Sequence, residues 1–264
     1  MIGAIIGDIV GSRFEFWGIK TKEFELFTEK NNFTDDSVLT LAIGKALLEC
    51  NGRYLDLEQK VINYMREFGK KYPFAGYGSN FENWICNENI GPYNSFGNGS
   101  AMRISAVPYF AKDLDELKWL VETVTKPTHN HKEGIKGAMA TATAIWLALH
   151  KKSKQEIREY IETLYYNLDF SYDDLIKNYS FDVTCQGSVP QSIYAFLISN
   201  SYEDAIRTAI SMGGDTDTMG AITGSIAGAY YGVPDNLKKQ AYRYLDGTQL
   251  KVLYDFDNYL KTKE

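Results

Sequence analysis

Two short runs place carboxylates and hydroxyls side by side: Thr34, Asp35, Asp36 and Ser37, and Asp215 to Thr218 within GGDTDTMG at 213–220. Each leads into a helix-like segment. Taken alone, each reads as a helix start, where Thr, Asp and Ser satisfy free backbone N–H groups and an acid suits the positive end of the helix dipole. Their repetition supports a second reading. Oxygens from Thr34, Asp35, Asp36, Asp215, Asp217 and Thr218 suit a hard cation such as Mg²⁺ or Mn²⁺ and offer nothing to a thiophilic metal. Four gathered carboxylates would repel and could not all stay ionised, a conflict that one or two divalent ions resolve. This requires the two runs, separated by most of the chain, to meet.

Other residues carry weaker signals. The glycine loop Asn94 to Ser100, NSFGNGS, could present backbone N–H groups and hydroxyls to phosphate oxygens. It has neither the Lys of a P-loop nor the third glycine of a dinucleotide fingerprint, and as a bare pattern it equally describes a turn leading into a helix. Tyr77, Phe81, Trp84, Tyr93 and Phe96 around it form either a platform for a base or ordinary core packing. His129 and His131 in KPTHNHKEG have no nucleophile motif near them, and GxSxG is absent.

The elements that must position these groups read as helices. Apolar residues recur at helical spacing, as in Val61, Ile62, Met65 and Phe68 or Ile157, Ile161 and Leu164, and period-two patterns are scarce. An all-α domain of about ten helices over 1–264 follows. Its longest interruption, 71–100, is rich in Gly, Asn and aromatics, and a long loop in a compact domain is usually functional. Gly3, Gly7 and Gly11 fall on every fourth residue, as do Gly220, Gly224, Gly228 and Gly232. Each glycine costs a helix up to about 1 kcal/mol relative to alanine, so whole glycine faces imply close backbone packing in the core. The small residues of 137–148 belong beside them. Asp8 and Glu15 would then end the first glycine helix where Asp215 to Thr218 begin the second.

A net charge of −6 with no basic stripe disfavours an extended nucleic-acid partner. The three cysteines, Cys50, Cys86 and Cys185, are widely spaced without a CxxC, which fits a reducing cytoplasm and disfavours a zinc site. The first residues, MIGAIIGDIVGS, have no positive n-region and do not read as a signal peptide, and no apolar run reaches the ~18 residues of a membrane span.

In order, GDIVGSRFE (7–15), TDDS (34–37), NSFGNGSAMR (94–103), THNHKEGIKGA (128–138) and GGDTDTMGAITGSIAGAYYG (213–232) resemble the ADP-ribosylglycohydrolase family over nearly the whole chain. The resemblance implies an all-α fold with two Mg²⁺ ions held by Thr34, Asp35, Asp36, Asp215, Asp217 and Thr218. It further implies that Ser95, Phe96, Gly97, Asn98, Gly99 and Ser100 cradle the diphosphate and adenosine of ADP-ribose, with His129 near the distal ribose. Some relatives carry Tyr at position 96, where this chain has Phe. The implied reaction is hydrolysis of the glycosidic bond at C1″ of ADP-ribose, releasing it from a protein side chain or small-molecule acceptor. Glu15, in the GSxxE stretch, is the candidate general acid or base, with Asp36 as the alternative activator of water. The acceptor-facing surface falls in loops 13–33 and 71–93. A metal-dependent nucleotide phosphohydrolase and a non-catalytic ADP-ribose reader are the competing expectations.

Overall fold

The computed structural model describes residues 1–262, which form fourteen α-helices, α1 to α14 in chain order, and three 3-10 segments. One isolated antiparallel bridge, Gly97 to Thr184, is the β-type pairing among the described residues. The helix count exceeds the ten expected because α4 (Ser79–Cys86), α5 (Gly99–Met102), α9 (Tyr172–Asn178) and α13 (Asp235–Ala241) are too short to display periodicity in sequence. Two of them fall in or at the end of the 71–100 interruption. Among the described residues no helix is long and apolar enough to cross a membrane.

The centre of the fold is the antiparallel pair α1 (Ile2–Gly11) and α12 (Thr216–Tyr231). Gly3 meets Gly224, Gly7 meets Gly220 and Gly11 meets Thr216. A Cβ at Gly7 would stand 1.9 Å from the Gly220 carbonyl oxygen, and one at Gly220 would stand 2.4 Å from that of Gly7. The backbones therefore touch, and close packing offsets the conformational cost of glycine in a helix. Gly232 departs from the expected face: with φ at 78° it caps α12.

Around this pair pack α2 (Asp35–Cys50) on α1, and α7 (Lys132–Leu149), α10 (Cys185–Ile198) and α11 (Tyr202–Ser211) on α12. Ala138, Ala140, Ala142 and Ala144 of α7 are fully buried, as their small size beside the glycine helices requires. The segment between α1 and α2 has little regular structure but is tied down. Asn31 donates to the carbonyls of Ile9 and Val10, Lys20 to that of Tyr179, and Arg207 to those of Lys22 and Phe24. These ties hold Glu15, which follows the 3-10 segment Ser12–Phe14, at the end of α1.

Candidate active site

The close approach of α1 and α12 brings the two acid-rich runs together. Both α2 and α12 begin at this point, so two positive helix ends face the cluster and partly offset its negative charge. Gly213 and Gly214, at φ 72° and 81°, turn the chain sharply into α12 and present Asp215 as its N-cap. Thr218 Oγ1 donates to Asp36 Oδ2 at 3.2 Å, and the Thr218 amide donates to Asp217 Oδ1 at 2.9 Å. Carboxylate oxygens of Glu15, Asp215 and Asp217 lie within 4.8 Å of one another.

These groups line a cavity of about 360 Å³ together with Asp35, Asp36, Phe81, Tyr93, Ser95, Gly97, Asn98, Gly99, Arg103 and His129. That volume lies within the range of about 300–1,000 Å³ usual for small-molecule sites. The glycine loop is joined to the acids through Asn98, whose Nδ2 donates to Asp215 Oδ2 at 2.7 Å and to Ser188 Oγ at 3.1 Å. His129 Nε2 would lie 3.3 Å from a Cβ at Gly99 and 3.7 Å from one at Gly97, so the missing side chains leave the room beside the imidazole.

Three residues of the sequence-based set do not line the cavity. Thr34 lies one layer behind, where its Oγ1 donates to Asp8 Oδ1 at 2.8 Å and accepts from the Asp36 amide at 3.3 Å as the N-cap of α2. Ser100 is buried, its hydroxyl donating to the Gly134 carbonyl at 2.7 Å. Phe96 is 45% exposed and packs on His131, with ring centroids 5.3 Å apart. The loop's amides are also partly committed, since the Gly97 amide donates to Ser95 Oγ and the Asn98 amide to the Val183 carbonyl. Of the aromatics, Phe81 and Tyr93 face the cavity, whereas Trp84 is core, 1% exposed. His131 caps α7, accepting from the Glu133 amide.

Sequence reasoning placed Asp8 at the cluster without giving it a task. Its fully buried carboxylate accepts from the amide and hydroxyl of Thr34 and from the amide and hydroxyl of Ser37. Asp8 thus caps α2 from another helix, and the signal for it was an acid inside an apolar, glycine-faced segment. Arg103 and Thr128 had no role assigned beyond their place in the motifs. Both are buried against His129.

The electrostatics follow from burial of like charges. Burial first, then the charges of Asp215 and Asp8, push Glu15 up to about 7. Burial first, then Asp8 and Asp215, push Asp35 up to about 8. Asp8 rises to about 6 through burial, opposed by its hydrogen bonds from Ser37 and Thr34. Asp36 and Asp217 are driven well above the usual carboxylate range, again by burial and then by neighbouring carboxylates. In addition, Asp36 Oδ1 is buried without a hydrogen-bond partner. An all-oxygen donor set, repelling carboxylates and an orphaned carboxylate oxygen together fit a hard divalent cation.

A profile of the ADP-ribosylglycohydrolase family matches residues 1–261. ADP-ribosylhydrolase ARH3 of Gallus gallus is 26% identical over 88% of this chain and 84% of its own length. The ADP-ribosyl-[dinitrogen reductase] glycohydrolase of Rhodospirillum rubrum is 23% identical over 89% of this chain and 85% of its own. ADP-ribosylarginine hydrolase Tri1 of Pseudomonas putida (strain GB-1) is 25% identical over 92% and 73%. A solved structure titled ADP-ribosylglycohydrolase-related protein complex superposes with a TM-score of 0.71, covering 97% of this chain and 93% of that one at 20% identity, which shows the shared fold. With the profile spanning the cavity, both acid-rich runs and the glycine loop, the chain belongs to the ADP-ribosylglycohydrolase family and is a hydrolase that removes ADP-ribose.

Proposed function

We propose that the chain hydrolyses, in a Mg²⁺-dependent manner, the glycosidic bond at C1″ of ADP-ribose attached to a protein side chain. The observation that carries this reading is the convergence of Glu15, Asp215 and Asp217 within 4.8 Å, in a cavity shared with Gly97, Gly99 and His129. Asp35, Asp36, Asp215, Asp217 and Thr218 would hold the cation or cations, with Thr34 positioning Asp36 from behind. When bound, such ions supply positive charge that orients ribose hydroxyls and keeps the carboxylates ionised.

The chain's own residues do the rest. The glycine loop and His129 bind the nucleotide part, and Phe81 and Tyr93 give the cavity apolar walls. Positive charge develops at C1″ as the bond to the acceptor breaks, and the surrounding carboxylates stabilise it. Glu15 stands at the cavity, where burial raises its pKa above the usual carboxylate range, and is suited to take a proton from the attacking water or to hold one for the leaving acceptor. Asp36 is the second candidate for activating water. A protein acceptor is supported by the names of two relatives, which refer to dinitrogen reductase and to ADP-ribosylarginine.

Incubation with ADP-ribosyl-arginine and ADP-ribosyl-serine peptides plus Mg²⁺, followed by chromatography, tests the proposal. Free ADP-ribose is the expected product. AMP with a phosphoribosyl-peptide would instead mean attack on the diphosphate, and no product from either peptide would remove arginine and serine as the acceptor.

A further inference from the structure

In the cavity lining beside His129 stands a buried cation to which the reaction gives no part. Arg103 is 1% exposed, and its Nη2 donates to Thr128 Oγ1 at 2.6 Å and approaches His129 Nδ1 at 3.4 Å. Thr128 is itself fully buried, with Oγ1 lying 2.8 Å from His129 Nδ1. We propose that Arg103 and Thr128 are positioning residues that fix His129 as a neutral imidazole with its proton on Nε2, making it a hydrogen-bond donor to an oxygen of the nucleotide substrate. This rests on the reading of the cavity as a nucleotide-sugar site.

The argument is one of donors and acceptors. A guanidinium has donors and no acceptor, so Thr128 Oγ1 must accept from Arg103. A hydroxyl has one proton and two lone pairs. With Arg103 on one lone pair, the Thr128 proton can turn to His129 Nδ1, which lies 2.8 Å away and accepts through its lone pair. The opposite arrangement would place an Nδ1–H beside the Arg103 donor at 3.4 Å, two positive edges face to face in a buried site. The other ring nitrogen must then carry the proton.

That nitrogen faces the glycine loop beside Gly97 and Gly99, and among the described residues no hydrogen bond takes it up. The imidazole is held neutral, since burial first and the Arg103 charge second drive its pKa well below the ordinary value. Burial lowers Arg103 to about 10, so it stays charged at neutral pH. His129 is thereby a fixed donor rather than a proton shuttle.

Long-range proton–nitrogen NMR of histidine-labelled protein, with the His129 signals assigned through His129→Gln, reads the tautomer without substrate. The expected result is a neutral Nε2–H imidazole throughout about pH 6 to 8. Thr128→Val should release the tautomer and weaken ADP-ribose binding by calorimetry roughly tenfold, while Thr128→Ser restores both. In turnover the loss should fall on KM more than on kcat. An Nδ1–H imidazole or an imidazolium in the wild type would overturn the inference, as would a Thr128→Val protein with unaltered tautomer and affinity. Should Thr128→Val not fold, the wild-type and Thr128→Ser spectra still decide. A wild type with the Nε2–H tautomer that binds no ADP-ribose would support the positioning and defeat the functional reading of the cavity instead.

Discussion

Thr218 Oγ1 reaches Asp36 Oδ2 at 3.2 Å, so the hydroxyl of one acid-rich run closes on the carboxylate of the other and joins α12 to α2. Asp35 and Asp36 in the first turn of α2 therefore share one site with Asp215, Asp217 and Thr218 at the start of α12. Capping and lining are divided between residues: Thr34 caps α2 with its one side-chain oxygen and stands behind the cavity, whereas Asp215 makes no side-chain cap hydrogen bond and lines it. Asp36 caps neither helix and belongs to the cluster: Oδ2 accepts from Thr218 while Oδ1 is buried and unpartnered.

The first prediction concerns metal linkage. A cation that binds the native cluster and not the unfolded chain stabilises by mass action. Mg²⁺ should raise Tm and chelation should lower it, and Asp215→Asn or Asp35→Asn should abolish most of the response. Identical wild-type melting curves with and without Mg²⁺ would defeat the cation site.

A second prediction follows from the raised carboxyl pKa values, about 6 for Asp8, 7 for Glu15 and 8 for Asp35. Unfolded carboxyls titrate near ~4, so between about pH 4 and 8 the folded chain binds more protons than the unfolded one. Stability without metal must then fall as pH rises through that window. Because Mg²⁺ requires ionised ligands, its stabilising increment should grow over the same window. Thermal melts with chelator or Mg²⁺ across this range check both trends, and a metal-free Tm that rises with pH would contradict the burial of these acids.

The glycine contact can be tested separately. Alanine at Gly7 would drive its Cβ into the Gly220 carbonyl, and the neighbouring atoms are backbone that cannot swing aside. Overpacking of this kind costs about 1–3 kcal/mol or more, and here it would also push the two acid-rich runs apart. Gly7→Ala should therefore lower both Tm and the Mg²⁺ increment. Gly247→Ala, with no atom near the added Cβ, should stay within about 0.5 kcal/mol of wild type.

These residues also show what could be read before folding. Glycines on every fourth position of two segments implied close backbone packing and, from it, the meeting of Asp8 and Glu15 with the start of the DTDT segment, whereas the meeting of TDDS with DTDT came only with the family resemblance. Periodicity reveals a helix only over several turns, so α4 and α5 stayed hidden within and beside an aromatic loop. The tasks of Asp8, Arg103 and Thr128 were not legible, because they depend on hydrogen bonds between distant segments that spacing does not encode. Ser100 and Phe96 fail to line the cavity for a related reason: a short loop can be located by composition, but the direction of each side chain is set by neighbours such as Gly134 and His131.

The glycine loop gives a fourth prediction. A Cβ at Gly99 would sit 3.3 Å from His129 Nε2, and the branched methyls of valine would fill the space beside the imidazole. Gly99→Val should weaken ADP-ribose binding by well over ~10-fold while leaving most of the Mg²⁺ increment in Tm, since the added Cβ faces His129 and not the contact of Asn98 with Asp215. Unaltered affinity by calorimetry would remove the loop from the nucleotide site.

The last prediction separates proton transfer from metal holding at Glu15. Its carboxylate lies within 4.8 Å of Asp215 and Asp217, close enough to serve as a ligand, yet it sits beyond α1 at the cavity rather than on the helix ends that carry the other acids. Burial holds its pKa above the usual carboxylate range, closer to neutral pH, where a carboxyl can both take and return a proton. Glu15→Gln keeps the size and polarity and removes the titrating oxygen. General acid–base catalysis is worth ~10²–10⁴-fold, so kcat should fall by about that much. ADP-ribose affinity and most of the Mg²⁺ increment should persist, because Asp35, Asp36, Asp215 and Asp217 remain. Full activity in the variant would pass the proton-handling role to Asp36. Lost activity together with a lost Mg²⁺ increment would make Glu15 a part of the cation scaffold, and measuring rate and Tm on one preparation tells the three cases apart.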